Sequence, residues 1–547
     1  MDRRDFFRRA PRPAPETPPF EVLPGVFVPD GPVDWHYRAD RPADDATARR
    51  AGRPALPTAS GLDPFTPSAS APWDAARVRH LLRRTGVAAP VELVQAFAAR
   101  SPAEAVDLLV DGVRATGADP DPEWIDDAPP RWTEPQSVID AYWDENWVRF
   151  EQLRNGILMD LMGRAADSPE QEAVRSFRHR LCWMWANHFV THRQSYRITP
   201  WLVRHWQTMQ RNALGNVRPF VDEIGLDPAM LVYLNGIENR VGAPNENYAR
   251  ELLELFTMGI TGPDGTPNYT QDDIAAISRA LTGWGLDYYG ETETPLEPVF
   301  IPDWHDTGVK TIFGQSGAWG YADVVRIVFE ERSPEIAHWI ATVLYREFVY
   351  DVPHPDVVGA LADVLLNADF EIAPAVRTLL QSEHFFDAAV LGARVRSPLE
   401  VNIGTHRGLG YAASSDHLGG VHYTMRLSGQ VLFQPPTVAG WPGGRDWLDT
   451  SRLTARWLYA SWVVWQQDRF RALAAAMPDP WDPARLAADL ADHLLGVPLD
   501  AAAAEALTPI LLNGIPAYEW NPTVEGAESR IRQLVSHLLR LPEYQLS

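Results

Sequence analysis

Cysteine is almost absent from this sequence, which holds Cys182 and no second cysteine among its 547 residues. No disulfide can therefore form within one chain, and a cysteine-rich zinc site and a disulfide-stapled secreted scaffold are both excluded. Long apolar runs are lacking as well. Because a membrane-spanning helix needs at least about 18 consecutive apolar residues, we expect no membrane span.

Positive charge is scarce, with 49 basic side chains against 72 acidic ones and a formal net charge of −23. A field of that sign repels a phosphate backbone, so we expect no nucleic acid among the partners. The excess acid keeps the protein soluble, and it is also compatible with a cationic partner or a metal ion.

The first 70 residues are rich in proline, alanine, aspartate and arginine and show little periodicity. They predict an extended arm that wraps the surface, with apolar anchors between positions 20 and 28. Residues Arg3, Arg4, Phe6 and Phe7 look like the core of a twin-arginine export motif. Proline and charge follow where an apolar region should, so a cytoplasmic location is favoured.

Residues 71–547 show helical periodicity almost throughout and no fixed-period repeat. We therefore predict a mainly α fold, with one large non-repeating helical domain and few short strands, one of them around Val299–Ile301. Two predicted helices matter for function, one covering about 168–192 and one covering Glu246–Met258. The stretch Leu286–Gly320 is predicted to be a long loop, and such loops are often functional.

The first candidate group is a pair of histidines. His188 and His192 are four residues apart on the predicted helix, which places both rings on one face. That spacing allows two imidazoles to bind one metal ion, although Phe189 stands where a zincin carries its glutamate. The alternative is one buried, hydrogen-bonded histidine and one polar histidine at the helix end.

The second candidate group is a polar stripe on the helix between Asn245 and Gly259. At about 100° per residue, Asn247, Arg250, Glu251 and Glu254 share one narrow face of an otherwise apolar helix. Buried charges must pair or bind a metal. The stripe is therefore either an internal salt-bridge network, with Arg250 bound to Glu254 or to a remote acid, or the lining of a metal or substrate site.

The third candidate group lies in the predicted loop, where Asp303, His305 and Asp306 are followed by Lys310. An imidazole between two carboxylates suits a metal ligand or an oriented general base. The alternative is a turn held by local hydrogen bonds. The segment Gly440–Gly444 is predicted to be a rigid structural turn, since no preceding strand or internal lysine supports a phosphate loop.

Several segments together resemble a bacterial family known as the domain-of-unknown-function 1800 family, and they follow one another in that family's order. They are HLLRRTG from His80, WANHFVTH from Trp185, RNALGNVRPF from Arg211, DPAMLVYL from Asp227, NENYARELLELFTMG from Asn245, SRALTGW from Ser278, HDTGVKTIFGQSG from His305, RSPLEVNIGTHRGLG from Arg396 and GQVLFQPPTVAGWPGGRDWL from Gly429. The resemblance implies a bacterial protein often encoded beside a member of the domain-of-unknown-function 1501 family, which is then the expected partner. It implies no reaction.

Two hypotheses for function follow. In the first, the protein is a metal-dependent oxidative or hydrolytic enzyme. Its transition metal (Fe, Mn or Zn) is held by His188, His192, Glu251, Glu254 and His305. Arg250, Asp306 and Lys310 are then the catalytic candidates. In the second, the protein is a scaffold for its companion, and the polar stripe is a purely structural network. The many tryptophans also raise a third idea, a carbohydrate-binding surface, which would need them exposed.

Overall fold

The structure is a computed structural model, and it describes residues 56–163, 167–291, 295–466 and 468–547. The twin-arginine-like residues at positions 3–7 and the apolar anchors at positions 20–28 lie outside the described residues. What the sequence predicts for them stays a prediction.

Helices dominate the described chain, as the sequence predicts. The first eleven are α1 (Ala75–Thr85), α2 (Val91–Ala98), α3 (Pro102–Ala115), α4 (Gln136–Leu161), α5 (Pro169–Ala186), α6 (Arg193–Tyr196), α7 (Thr199–Asn212), α8 (Val217–Gly225), α9 (Pro228–Tyr233), α10 (Asn247–Glu251) and α11 (Gln271–Ala280). The next eleven are α12 (Tyr321–Glu331), α13 (Ser333–Phe348), α14 (Pro355–Asn367), α15 (Ile372–Gln381), α16 (Pro398–Gly408), α17 (Leu418–Leu427), α18 (Thr450–Trp465), α19 (Phe470–Ala475), α20 (Pro483–Leu494), α21 (Ala501–Leu512) and α22 (Glu525–Leu538).

The predicted long loop contains most of two small hairpins. In the first hairpin, β1 (Trp284–Leu286) pairs antiparallel with β2 (Pro298–Phe300). In the second, β3 (Lys310–Ile312) pairs antiparallel with β4 (Gln315–Gly317). No other sheet occurs in the described part of the chain, so the mainly α prediction is confirmed.

Local sequence signals explain where several helices begin. At the start of α3, the Glu104 amide donates to the Ser101 hydroxyl at 3.3 Å, and the Glu104 carboxylate accepts from the Ser101 amide at 2.9 Å. This reciprocal capping box satisfies amides that a helix start leaves without partners. Asp227 caps the start of α9 with a single hydrogen bond, in which its carboxylate accepts from the Met230 amide at 3.0 Å.

The predicted helix over 168–192 is too long, because α5 ends at Ala186. Asn187, the next residue, accepts a hydrogen bond from the Trp441 amide at 2.8 Å. Phe189 then turns inward and is fully buried. His188 and His192 are therefore not on one helix, and the i, i+4 face predicted for them is wrong. A contact from a segment some 250 positions away decided the helix end.

The predicted helix over Glu246–Met258 exists, but it changes geometry in the middle. After α10 the backbone widens into a π-helix over Leu252–Thr257, in which the Met258 amide donates to the Leu253 carbonyl at 3.1 Å. Two carbonyls of this segment accept from side chains instead. Trp339 donates to Leu255 at 2.8 Å, and a ring nitrogen of His188 lies 3.0 Å from the Phe256 oxygen.

One continuous hydrophobic core extends from Val78 to Tyr544. Buried tryptophans fill much of it, and some find the polar partners expected of them. For example, Trp185 donates to the Ala213 carbonyl at 2.9 Å, and Trp201 donates to the Leu296 carbonyl at 2.8 Å. This burial weighs against a carbohydrate surface built from most of the tryptophans. Within the described residues, no helix is both long and apolar enough to cross a membrane.

The described end of the predicted arm lies against the segment after α15. The Phe65 amide donates to the Gln381 carbonyl at 2.8 Å, and the Glu383 amide donates to the Asp63 carbonyl at 2.8 Å. The Phe65 ring also packs on Phe386, with ring centres 4.9 Å apart. This stretch therefore attaches to the helical body through backbone pairing, aromatic contact and side-chain hydrogen bonds from Thr58 and Ser60 to Asp387.

Candidate functional site

Two carboxyl groups come together at the junction of α10 and the π-helix. Glu251 ends α10 and Glu254 lies one turn on, and both side chains are half-buried. The Tyr269 hydroxyl, from the segment before α11, donates to a Glu254 oxygen at 3.2 Å. Short π-helical insertions are frequent at functional sites because they redirect side chains locally.

The surroundings of Glu251 favour its protonated form. Burial, together with the negative charge of Glu254, raises the pKa of Glu251 to about 7, and the charge of Arg250 opposes this only in part. Burial and the neighbouring Glu254 also raise the pKa of Tyr269. A carboxyl group that titrates near neutral pH can both give and take a proton under physiological conditions.

Arg250 forms an ion pair with Glu246. Its guanidinium donates to Glu246 at 2.8 Å and to the Gln271 amide oxygen at 3.3 Å. Gln271 in turn donates to the same Glu246 oxygen at 2.8 Å. Arg250 therefore forms a salt bridge, but its acid is Glu246, one turn earlier. Because the two side chains are each 39% exposed, this pair is not the internal network that the sequence suggested.

His188 serves the end of the π-helix. Its Nε2 atom lies 3.0 Å from the Phe256 carbonyl oxygen, and the ring is buried among Trp185, Phe189 and Phe256. Burial lowers the pKa of His188 to about 4, so the ring is neutral and donates through Nε2. The buried, hydrogen-bonded alternative describes this histidine. Burial also lowers the pKa of His192, at the start of α6, to about 4.

Asp306 and Lys310 fasten the second hairpin to α11. Asp306 accepts from Arg279 through both oxygens, at 2.7 and 3.2 Å, and these hydrogen bonds lower its pKa to about 2. The Lys310 ammonium is buried and donates to the Asp306 and Trp319 carbonyl oxygens. Each charge is satisfied internally, as the turn alternative predicts.

His305 belongs to this second group and not to the carboxyl pair. Its Nδ1 atom lies 2.9 Å from the Thr282 carbonyl oxygen, just beyond the carboxyl end of α11. Like His188, it uses one ring nitrogen on a backbone carbonyl. That arrangement is also the one that orients metal-ligating histidines.

Apart from His188 and His192, the predicted site residues fall into two groups at opposite ends of α11. Gln271, at its start, contacts the Arg250 group, and Arg279, near its end, holds Asp306. Eight helical residues separate them, which is about 12 Å along the axis. Over the described ranges, no three His, Cys, Asp or Glu side chains are grouped closely enough to hold a metal ion.

A shallow cleft that the sequence analysis missed opens beside α1, α4 and α5. Its polar lining includes Asp160, Glu172, Ser176 and Arg407. Asp160 lies 3.3 Å from the ring of His179, and Glu172 pairs with Arg407. Positions 172, 176 and 179 follow helical spacing, so a polar face on α5 could have been found. The charges in this cleft compensate one another in pairs.

A buried network of arginines and glutamates was missed as well. Glu400, in the first turn of α16, is 1% exposed and lies 2.7 Å from Arg180 and 3.1 Å from Arg394. The Ser397 amide also donates to it at 2.6 Å. Although burial alone would raise the pKa of Glu400, the two arginines and this amide lower it well below its usual range. Glu347 completes the network by pairing with Arg180.

The glycine-rich turn at Gly440–Gly444 is structural, as predicted. Gly440 has a φ of +79°, and a Cβ atom there would lie 2.2 Å from the Asn187 side-chain oxygen. Glycine is therefore required for the turn to reach Asn187. The contact brings two of the segments behind the family resemblance together at the end of α5.

These features define a large, mainly α-helical protein with one core, a compensated arginine–glutamate network and a half-buried carboxyl pair. Residues 80–546 match the family described as "Protein of unknown function (DUF1800)", so the chain belongs to that family. The comparisons with curated proteins and with solved structures found no match. The resemblance drawn from the motifs is thereby confirmed over nearly the whole chain.

Proposed function

We propose that the protein is an enzyme in which Glu251 and Glu254 transfer protons to and from a bound substrate. The observation that carries this proposal is a pair of neighbouring half-buried carboxyl groups, in which burial and the charge of Glu254 raise the pKa of Glu251 to about 7. Nearby carboxyls cannot both ionise easily, so one of them keeps a proton near neutral pH.

The chemistry that suits such a pair is general acid–base catalysis of hydrolysis or isomerisation. Glu251, whose pKa is raised to about 7, is the acid, and Glu254 is the base that Tyr269 orients by its hydrogen bond. Arg250 is 39% exposed beside them and can contact an anionic group of the substrate. Asp306 and Lys310 hold the neighbouring hairpin in position and touch no reacting group.

The test combines a titration with an activity screen. The Glu251 carboxyl, followed by carbon-13 NMR of glutamate-labelled protein, should titrate near pH 7. Activity found in a panel of ester, amide and glycoside substrates should fall at least about 100-fold in Glu251→Gln, the usual contribution of a general acid or base. Glu246→Gln, which alters the neighbouring exposed ion pair, is the matched control and should keep most activity.

Two results would contradict the proposal. One is titration of Glu251 at its ordinary value near pH 4.3. The other is equal activity of the Glu251→Gln and Glu254→Gln variants and the unaltered protein on every substrate that the protein turns over.

A bound cation is the second candidate for the same pair. The observation that favours it is the mutual repulsion of the Glu251 and Glu254 charges, which a transition metal such as Fe, Mn or Zn would relieve. His188 contacts a carbonyl through one ring nitrogen, and its other nitrogen is the one that could serve a metal, whereas His305 lies in the other group near the far end of α11. Elemental analysis of untagged protein, purified without chelator, decides the matter. Stoichiometric metal that Glu251→Gln loses would support this candidate, and its absence would eliminate it.

The expected partner from the domain-of-unknown-function 1501 family stays a prediction. Co-expression of the two proteins, followed by size-exclusion chromatography, would test it. Separate elution at micromolar concentration would count against a stable complex.

A further inference from the structure

A small cavity lies where α1, α16 and α20 meet, and neither member of the carboxyl pair lines it. Its lining includes Arg83, Arg396, Gly404, His493 and Tyr544. The cavity is small, with a volume of about 10 Å³. That is near the lower limit for one enclosed water molecule, or for an ion of similar size.

Arg83 brings a buried positive charge to this cavity. It is 8% exposed, and its guanidinium donates to the carbonyl oxygens at the end of α20, at 2.8 Å to His493 and 3.2 Å to Leu494. A helix end carries only about half a negative elementary charge. These carbonyls therefore satisfy hydrogen bonds of Arg83 but offset only part of its charge.

Arg396 brings a second buried charge, and its own partners are also neutral. It is 4% exposed and donates to the backbone oxygens of Tyr544 at 3.2 Å and Glu400 at 2.6 Å. The Glu400 carboxylate binds Arg180 and Arg394 instead. No carboxylate is among the residues that line the cavity.

The two guanidinium groups repel each other across this space. Burial, with the positive charges of Arg396 and Arg79, lowers the pKa of Arg83 to about 9. Gly404 lets Arg396 approach, because a Cβ atom there would lie 1.9 Å from its terminal nitrogen. Buried charges that lack a counter-charge are costly unless something compensates them.

We propose that this cavity binds one monovalent anion of chloride size between Arg83 and Arg396. A water molecule could accept hydrogen bonds from both guanidinium groups, but it would leave the excess positive charge in place. Sulfate and phosphate are too large for a space that barely holds one water molecule. The anion is therefore a structural ligand of the helical body, independent of the proposed proton-transfer site.

The test compares thermal unfolding of the full chain in sodium gluconate and in sodium chloride at constant ionic strength. Replacing gluconate by chloride should raise the midpoint with saturation, by about 1–2 °C for a chain of this size. Crystals grown in sodium bromide should show an anomalous peak between Arg83 and Arg396. Equal midpoints in the two salts, or bromide crystals without that peak, would overturn the proposal.

Three variants separate this site from general salt effects. Arg83→Gln removes one of the two charges, so the chloride response and the bromide peak should disappear. Ala89→Val narrows the cavity while both arginines remain, and it should lose both signals even if Arg83→Gln fails to fold. Arg485→Met removes an arginine whose side chain is 62% exposed and should keep the full response. Loss of the response in Arg485→Met, or its persistence in Ala89→Val, would contradict a site at this cavity.

Discussion

Glu400 and Glu251 are both withdrawn from water, yet the protein treats their charges in opposite ways. Glu400 lies 2.7 Å from Arg180 and 3.1 Å from Arg394, and its pKa falls well below the usual range. Glu251 has another carboxyl beside it, and its pKa rises to about 7. Burial alone therefore does not identify a functional acid. The distinguishing feature is whether a cation compensates the charge.

Removing the compensated charge should have the largest effect. Glu400→Gln leaves Arg180 and Arg394 buried with too little negative charge, and loss of one partner from such a network costs about 3–5 kcal/mol. We expect that loss in the free energy of unfolding, measured by chemical denaturation at pH 7. A loss below about 1 kcal/mol, which is what an exposed ion pair contributes, would show that Glu400 does not differ from Glu251 in this way.

Glu251 should make stability depend on pH with a sign opposite to that of Glu400. Because the folded-state pKa of Glu251 lies above its unfolded value, the folded protein holds the extra proton, and stability falls as pH rises from about 4.5 to about 7. This contribution is about 2–3 kcal/mol at most. For Glu400 the pKa is lowered, so its contribution is present above about pH 4.5 and is lost at lower pH.

Glu251→Gln should remove the fall in stability that Glu251 causes, which makes the variant at least as stable as the original at pH 7 to 8. Urea denaturation of both proteins at several pH values between 4.5 and 8 measures this difference. Parallel profiles for the two proteins would show that Glu251 has an ordinary pKa and would remove the basis for the proposed acid.

His188 is a buried group without charge, and its ring hydrogen-bonds the helix that carries the carboxyl pair. His188→Phe removes the donor to the Phe256 carbonyl and should cost about 1–2 kcal/mol. Because burial lowers the pKa of His188 to about 4, its own contribution is present above about pH 6.5 and is lost as pH falls towards 4. Denaturation at pH 7 measures the cost, and an unchanged midpoint would show that the hydrogen bond stabilises nothing.

The smallest effect should come from the exposed pair beside the carboxyl couple. Glu246→Gln disrupts the ion pair with Arg250, in which both side chains are 39% exposed, and should cost no more than about 1 kcal/mol. The same denaturation experiment at low and high salt checks this, because screening should shrink the difference further. A cost comparable to that of Glu400→Gln would show that exposure does not separate the two regions.

The helices whose boundaries the sequence predicted well have both a local start signal and an apolar face. For example, α16 begins with a capping box between Ser397 and Glu400, a signal that lies within four residues of the sequence. The prediction for 168–192 overran α5 because the signal that ends it, the contact between Asn187 and Trp441, is remote in the chain.

For the candidate site, the sequence correctly placed Glu251 and Glu254 together, since residues three apart on a helix are neighbours. It also paired His305 with Asp306 and Lys310. It did not predict that His188 would contact a helix carbonyl, or that Arg250 would form its ion pair with Glu246. The His188 contact depends on how the segment after α5 packs on the π-helix, whereas Glu246 is four residues from Arg250 and is a local partner outside the predicted stripe.

By itself, therefore, the sequence determined the class of the fold, the family and the presence of two carboxyl groups on one largely apolar helix. Periodicity, capping residues and turn residues act within a few positions, and a single chain displays them directly. Only the tertiary structure decided which charges are compensated. Arg180, on α5, and Glu400, on α16, are 220 positions apart and lie 2.7 Å from each other in the folded chain, whereas Arg250 lowers the pKa of Glu251 less than burial and Glu254 raise it. The free energy of a buried charge depends on such remote neighbours, so only the folded chain separates a structural acid from a candidate catalytic one.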